Sequence, residues 1–368
     1  MFSARQRAIG AAALLLVAAA CKDTVSTGPA QIINPGGATA SLATVDSTFA
    51  SAPVLSFVWF SGAGAAPAPG SPLAVFATIG RAVAPRVTAR ADVPAHESAL
   101  KGLARVMTSS QAIIPDSLQG TTWVWDTTQN KYVKSDSTGA PATGIRFELY
   151  AVDFTGHLVH PLTQVGHLDY IDHSTAGSTT LQVVIASSTF TYVDETLTGS
   201  GNASAFTVSA TGYIQVPAHR LDFSISFSLA TGTYSIHEQF SDAPDLVSLT
   251  FDFGITVVSD TSVTATIAFS FTTAAQSISF DGGGTIGDST QNVQGTVRVN
   301  GQAFAVITAV GPRNALPTIT DAHGQPLSGD DALLLYHMFL VVGRSLRWLN
   351  YLVGSFVSLT GIGVLLNV

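Results

Sequence analysis

Across residues 181–310 apolar and small polar residues alternate with a period of two. In Leu221-Asp222-Phe223-Ser224-Ile225-Ser226-Phe227-Ser228-Leu229 every odd position is apolar and every even one polar. Leu249, Phe251, Phe253, Ile255 and Val257 repeat the pattern, as do Val263, Ala265, Ile267, Phe269 and Phe271. Successive side chains of a strand point to opposite faces, so this is the signature of a sheet with one dry and one wet side.

Turn signals recur at short intervals: Thr155-Gly156, residues 199–202, Ala230-Thr231-Gly232, Ser259-Asp260, Gly282-Gly283-Gly284 and Asn300-Gly301. Glycine supplies positive φ in tight turns, so Asp281 with the three glycines after it reads as a turn. The connections are too short for helical crossovers, and neighbouring strands are expected to pair antiparallel. The prediction is mainly β: a meander of roughly ten to fourteen strands, curled into a barrel or half-barrel or folded as a sandwich. Trp123-Val124-Trp125 and Tyr132-Val133, on either side of Gln129-Asn130, predict a first hairpin, and Ile145, Phe147 and Leu149 begin the main sheet. The β domain is placed at residues 121–318.

A different pattern occupies residues 328–368. After Asp330-Asp331, Leu333, Leu334, Leu335, Phe339 and Leu340 cover nearly every side of a helix, and acids at its start suit the helix dipole. A helix apolar all round must be buried in protein or lipid. The expectation is a C-terminal apolar helical segment packed on the apolar side of the sheet. Residues 348–366 are long enough for a marginal membrane span, but Asn350 and interspersed glycines and serines argue against one. A curved sheet closed by a helix resembles, in architecture only, the unclosed barrels of bacterial lipoprotein and lipid carriers.

Residues 42–120 read as partly helical and irregular. Pro53 is expected to limit any helix in residues 42–60 to short pieces, residues 62–72 form a loop of Ala, Pro and Gly, and residues 91–107 suggest a short amphipathic helix with Leu100, Leu103 and Val106 on one side.

The chain start changes the picture. Arg5 and Arg7 precede an apolar run over residues 8–19, the order of a secretory signal peptide placed at residues 1–20. The run ends in Val17-Ala18-Ala19-Ala20-Cys21, which resembles the lipobox of bacterial lipoproteins processed by signal peptidase II. That resemblance implies a lipid-modified Cys21 after cleavage and a membrane partner through the anchor, with Lys22 at the sorting position pointing to the outer membrane. Cys21 is the sole cysteine. More than one acyl chain suffices for stable anchoring. Residues 21–41, rich in Thr, Ser, Gly and Pro, read as a flexible tether.

Only 11% of the 368 residues are charged and the net charge is −8, against about 25% charged in an ordinary soluble domain. The wet face must be solvated by Ser, Thr, Asn and Gln, a surface suited to the cell envelope. Nucleic acid is not an expected partner, because its binding needs Lys and Arg against phosphate.

Candidate chemistry is sparse. His157, His160, His167 and His173 lie near Asp153, Asp169 and Asp172, a ligand set that a divalent ion would accept, but His157 and His160 flank a turn and His167 and Asp169 share a strand face with Val165 and Ile171, so solvated turn and edge residues are the simpler account. Gly287-Asp288-Ser289 resembles the nucleophile block of one esterase family but falls in a hairpin turn, and Asp222 and Asp252 lie on the wet side of their strands. No catalytic residue, metal site or cofactor is predicted. The functional expectation is a non-enzymatic, lipid-anchored envelope protein with a lipid or other apolar ligand in the curved sheet; the alternative is a structural or adhesive surface lipoprotein with a filled core.

Overall fold

A computed structural model of the chain describes residues 48–63, 113–153, 156–176, 178–202, 204–242, 247–259, 261–312, 315–329, 331–332 and 335. Helix α1 (Ala52–Ala63) precedes strands β1 (Thr121–Asp126), β2 (Lys131–Ser135), β3 (Gly144–Tyr150), β4 (Gln164–Asp172) and β5 (Thr179–Ala186). Then come β6 (Thr191–Gly201), β7 (Phe206–Val216), β8 (His219–Ala230), β9 (Thr233–Asp242) and β10 (Val247–Ser259). The series ends with β11 (Ser262–Thr272), β12 (Ser277–Gly287), β13 (Thr290–Val299), β14 (Gln302–Pro312) and β15 (Thr318–Asp321).

The strands form one 15-stranded sheet in the order β15-β14-β13-β12-β11-β10-β9-β8-β7-β6-β5-β4-β3-β1-β2. From β3 onward the order is that of the sequence, because short turns leave each strand only its predecessor as a partner. The exception lies at the other end, where β1 pairs antiparallel with β2 and parallel with β3, Thr121 facing Ile145 and Trp123 facing Phe147. The Asn300-Gly301 turn between β13 and β14 has φ values of 49° and 80°, the left-handed geometry that tight hairpins require.

The described residues fall into two compact units. One contains α1, β1 to β8 and the His237–Pro244 segment; the other contains Gly232–Ile236 and Asp245–Ser345. In the first, the alternation of β8 becomes burial: Leu221, Phe223 and Ile225 are at most 5% exposed, while Ser224 and Ser226 are half-buried on the other side. Ile145, Tyr170, Leu181, Val183, Ile185 and Leu197 are wholly buried on the same plan.

Helix α1 lies against β3, β4, β5 and β6. Pro53 sits in its first turn, where a missing N–H breaks no internal hydrogen bond, so the proline starts this helix instead of interrupting it. Val54, Phe57 and Phe60 are buried, whereas Leu55 is 40% exposed. The helix comes close to β4 at Gly166, where an added Cβ would lie 2.5 Å from the Ala186 carbonyl oxygen and 3.6 Å from Pro53 Cβ. Its other end enters an aromatic cluster, with ring centroids 4.9 Å apart for Phe60 and Phe147, 5.4 Å for Phe60 and Tyr132, and 4.9 Å for Trp59 and Trp125. The Tyr132 hydroxyl donates to the Glu148 carbonyl at 2.9 Å, so this buried phenol is paired, and burial raises its pKa.

This architecture corrects the one expected from the sequence. The sheet is not closed into a barrel: β2 and β15 stand at opposite ends of the strand order and pair with no common neighbour. The helix laid on the dry side is α1, from before the sheet, and it is the one regular α-helix among the described residues. A sheet-closing C-terminal helix is therefore not the arrangement found, and residues 336–368 lie outside the described residues, as do the suggested helix at 91–107 and the loop at 64–72. Gly282, Gly283 and Gly284 are not a turn but the middle of β12. The Phe280 ring occupies the space where side chains at Gly282 and Gly295 would stand, which explains glycine on both strands without any need for positive φ.

Both edges are short. The outer strand β2 has 5 residues and carries Lys131 and Lys134, and β15 has 4 residues and covers β14 only from Ala305 to Thr308. Beyond it β14 runs through Gly311, at φ 120°, into Pro312.

Replacing Phe57 by Ala should destabilise the protein by about 3–5 kcal/mol, as expected for a wholly enclosed phenylalanine. Leu55→Ala on the same helix should change stability by less than about 0.5 kcal/mol. Denaturant unfolding of the two variants checks the orientation of α1, and equal effects would contradict it.

Candidate functional site

The polar side of β3 and β4 gathers the charges that the histidine-rich stretch suggested. Arg146 faces Asp169 and Glu148 faces His167 across the β3–β4 pair. The Arg146 guanidinium donates to both carboxylate oxygens of Asp169, Nε and Nη2 each at 2.7 Å. This bidentate fork occupies the in-plane positions of a carboxylate that a metal would otherwise use. His167 Nε2 lies 3.8 Å from the same carboxylate. Burial, joined by the Arg146 charge, holds the imidazole below its ordinary pKa against the opposing pull of Asp169. The Gln164 side-chain amide donates to Glu148, whose pKa burial raises.

The remaining members of the set are held elsewhere. Asp172 accepts from the backbone N–H groups of Ile113 and Ile114 at 2.6 and 3.1 Å, tying that segment to the end of β4. Asp153 accepts from the His157 backbone at 3.1 Å, and His173 pairs with Gln182 at 3.2 Å. His157 and His160 are exposed at a turn. Among the described residues no group of three His, Cys, Asp or Glu is placed to hold a metal ion. Asp222 pairs with Arg220 at 2.8 Å on the wet side of β8, and the guanidinium lies 3.9 Å from the centroid of the Tyr213 ring. Asp252 is exposed on β10. Cys21 lies outside the described residues.

An unexpected acid sits in the dry side. Glu195 on β6 is in phase with Val193 and Leu197, is wholly buried, and neither carboxylate oxygen has a hydrogen-bond partner. Its cross-strand neighbours are Val183 and Gly212. Burial raises its pKa from 4.5 to about 8, so the carboxyl is protonated at neutral pH. A glutamate in apolar phase was visible in the sequence, although nothing in the alternation tells whether such a residue is buried or turned out.

The second unit has an apolar side that loses its cover along the strands. The row Leu249, Phe271, Ile278 and Val299 is at most 6% exposed. Farther along, Phe253 and Ile267 are half-buried, as is Ile307, which reaches their row through the paired glycines Gly282 and Gly295. The next row runs Ile255, Ala265, Gly284, Val293, Ala309, and the one after it begins Val257, Val263, Ile286. Ala265, Gly284 and Ala309 in this row are small and Ile255 and Val293 are not, and apart from the buried Ala265 the row is half-buried, so it is a partly covered apolar surface across β10 to β14.

On the opposite side, Gly287-Asp288-Ser289 closes the β12–β13 hairpin and lines a groove of about 630 Å³. Its lining among the described residues includes no histidine, so Ser289 has no base there to activate it. The chain matches no protein-family model, no curated protein and no solved structure.

The buried acid gives a pH prediction. Because its folded pKa exceeds 4.5, Glu195 supports the folded state fully below that value and loses this contribution as pH rises towards about 8. Wild-type stability should fall across that window by up to about 1.4 kcal/mol per pH unit from this group. Glu195→Gln should flatten the slope and be the more stable protein at pH 8. Parallel urea titrations at several pH values test this, and identical slopes would place the Glu195 carboxyl in contact with water.

Proposed function

We propose that this chain is a non-enzymatic bacterial envelope lipoprotein, anchored through lipidated Cys21 and directed to the outer membrane, that holds an apolar ligand such as a lipid acyl chain on the partly covered apolar surface across β10 to β14. The observation that carries the reading is the partly covered apolar surface formed by Phe253, Ile267 and Ile307 and by the Ile255, Gly284, Val293 and Ala309 row beside them. Contiguous apolar surface left within reach of water marks a binding surface more often than it marks chance, and covering it contributes about 25 cal/mol per Å². An acyl chain needs no polar partner and would lie along such a surface. The signal-like residues 1–20 and the lipobox-like Val17 to Cys21 support envelope export and anchoring.

A second reading, a structural or adhesive surface module with a filled core, is favoured by the unit containing α1, where Ile145, Leu149, Leu168 and Leu181 are wholly buried.

Solvent extraction of the purified full chain, which leaves the covalently bound diacylglyceryl group on the protein, should release a non-covalent amphiphile. Ala309→Phe, which sets a ring on that surface, should weaken uptake of a fluorescent fatty acid about tenfold, equivalent to losing one well-buried apolar contact. A folded wild-type chain that yields no amphiphile and takes up no fatty acid would favour the structural module. Cys21→Ser should abolish incorporation of labelled palmitate and release the protein from the membrane fraction; retained label would refute the anchor.

A further inference from the structure

The hairpin ends on the polar side of β11 to β14 carry a different kind of surface. The groove of about 630 Å³ is lined by Ser262, Thr285, Asp288, Ser289, Thr290 and Asn292, with Val310 at its side. Thr285 faces Asn292 and Asn292 faces Val310 in the strand register, so the hydroxyl, the amide and the apolar side chain stand in one row. Val310 is 55% exposed, unusual for a valine within a strand.

The polar side chains at this hairpin's turn make no hydrogen bonds within the described residues. At several other turns such residues accept from backbone N–H groups. Asn202 accepts from the N–H groups of Ser204 and Ala205 at 2.8 and 3.1 Å, Thr273 from Ala275 and Gln276 at 3.3 and 3.2 Å, Asp321 from His323 at 2.8 Å, and Asn300 from Ser277 at 2.8 Å. Short polar side chains ordinarily act in this way in turns. Among the described residues, Asp288, Ser289 and Thr290 make no such bond, and neither do the side chains of Ser262, Thr285 and Asn292. All six line one groove that is open to water.

We propose that this groove is a binding site for a neutral polyhydroxylated ligand, a glycan. Hydroxyls and amides both donate and accept, matching sugar hydroxyls that do the same, and the Asp288 carboxylate accepts from a hydroxyl pair. The described lining has no Lys, Arg or His to attract an anion. Val310 supplies the apolar contact for the C–H side of a pyranose ring. The lining has no aromatic platform, so binding is weak for one copy and gains strength where many copies face a repeating polymer. The site is independent of the apolar surface on the other side of these strands, and either assignment can fail alone.

The test is saturation-transfer NMR on the full chain in a detergent without a sugar headgroup, titrated separately with cellobiose, N,N′-diacetylchitobiose and a sulfated disaccharide. Transfer to at least one neutral disaccharide is expected, and preference between the two tells plain hexose from N-acetylated polymers. Combined Asp288→Ala and Asn292→Ala should weaken binding about tenfold, the loss expected when paired hydrogen-bonding groups are removed. Thr285→Val, which keeps shape and removes one hydroxyl, should weaken it by less, and Ser270→Ala on the same face outside the groove should leave it unchanged. Absence of transfer to both neutral sugars, equal binding by the double variant with strand content intact by circular dichroism, or preference for the sulfated sugar would each overturn the assignment.

Discussion

A strand that turns apolar side chains to one side must have something dry laid against that side, and the rest of the structure depends on how this requirement is met. Over β3 to β6 it is met by a helix of only 12 residues, whose fit depends on Gly166 at one end and on the rings of Phe60, Phe147 and Tyr132 at the other. Edge-to-face packing favours one relative placement of aromatic groups, so the cluster sets the position of the helix as well as excluding water. In the other unit the requirement is met completely in the Leu249 row and only partly in the Ile255 row.

The polar side obeys the complementary rule. With few charges in the chain, those present are largely paired where they are partly buried: Arg146 with Asp169, Arg220 with Asp222, and the Asp172 carboxylate with backbone N–H groups. Such pairing makes these residues poor candidates for chemistry, since a ligand would have to displace a hydrogen bond already made. Glu195 departs from this rule, an acid kept neutral because charging it in the dry interior is unfavourable.

Much of the sheet was legible in the sequence because its signals are local. The odd–even alternation of β8 and β10, Trp123-Val124-Trp125 with Tyr132-Val133, and Asn300-Gly301 each identify an element within a few residues. The features that escaped are set by distant partners. Glycine at 282 and 284 reads as a turn until the Phe280 ring and the neighbouring strand are seen to fill the space beside them. The parallel pairing of β1 with β3 has no local signature, and whether Pro53 ends or begins a helix is decided by the packing of the residues after it. The groove was visible only as Gly287-Asp288-Ser289. Ser262 and Val310 join it from other hairpins, and that the hydroxyls are unengaged can be read only from coordinates.

The short lysine-bearing strand at one margin and the abbreviated strand at the other have a bearing on assembly. An exposed row of amides and carbonyls invites another chain to add its own strand, and long flat margins do so most readily. Here Lys131 and Lys134 bring like charges together whenever that margin approaches its own copy, while Pro312 withholds an N–H at the far side. Copies crowded onto a common surface would therefore stay separate molecules instead of joining into a continuous ribbon.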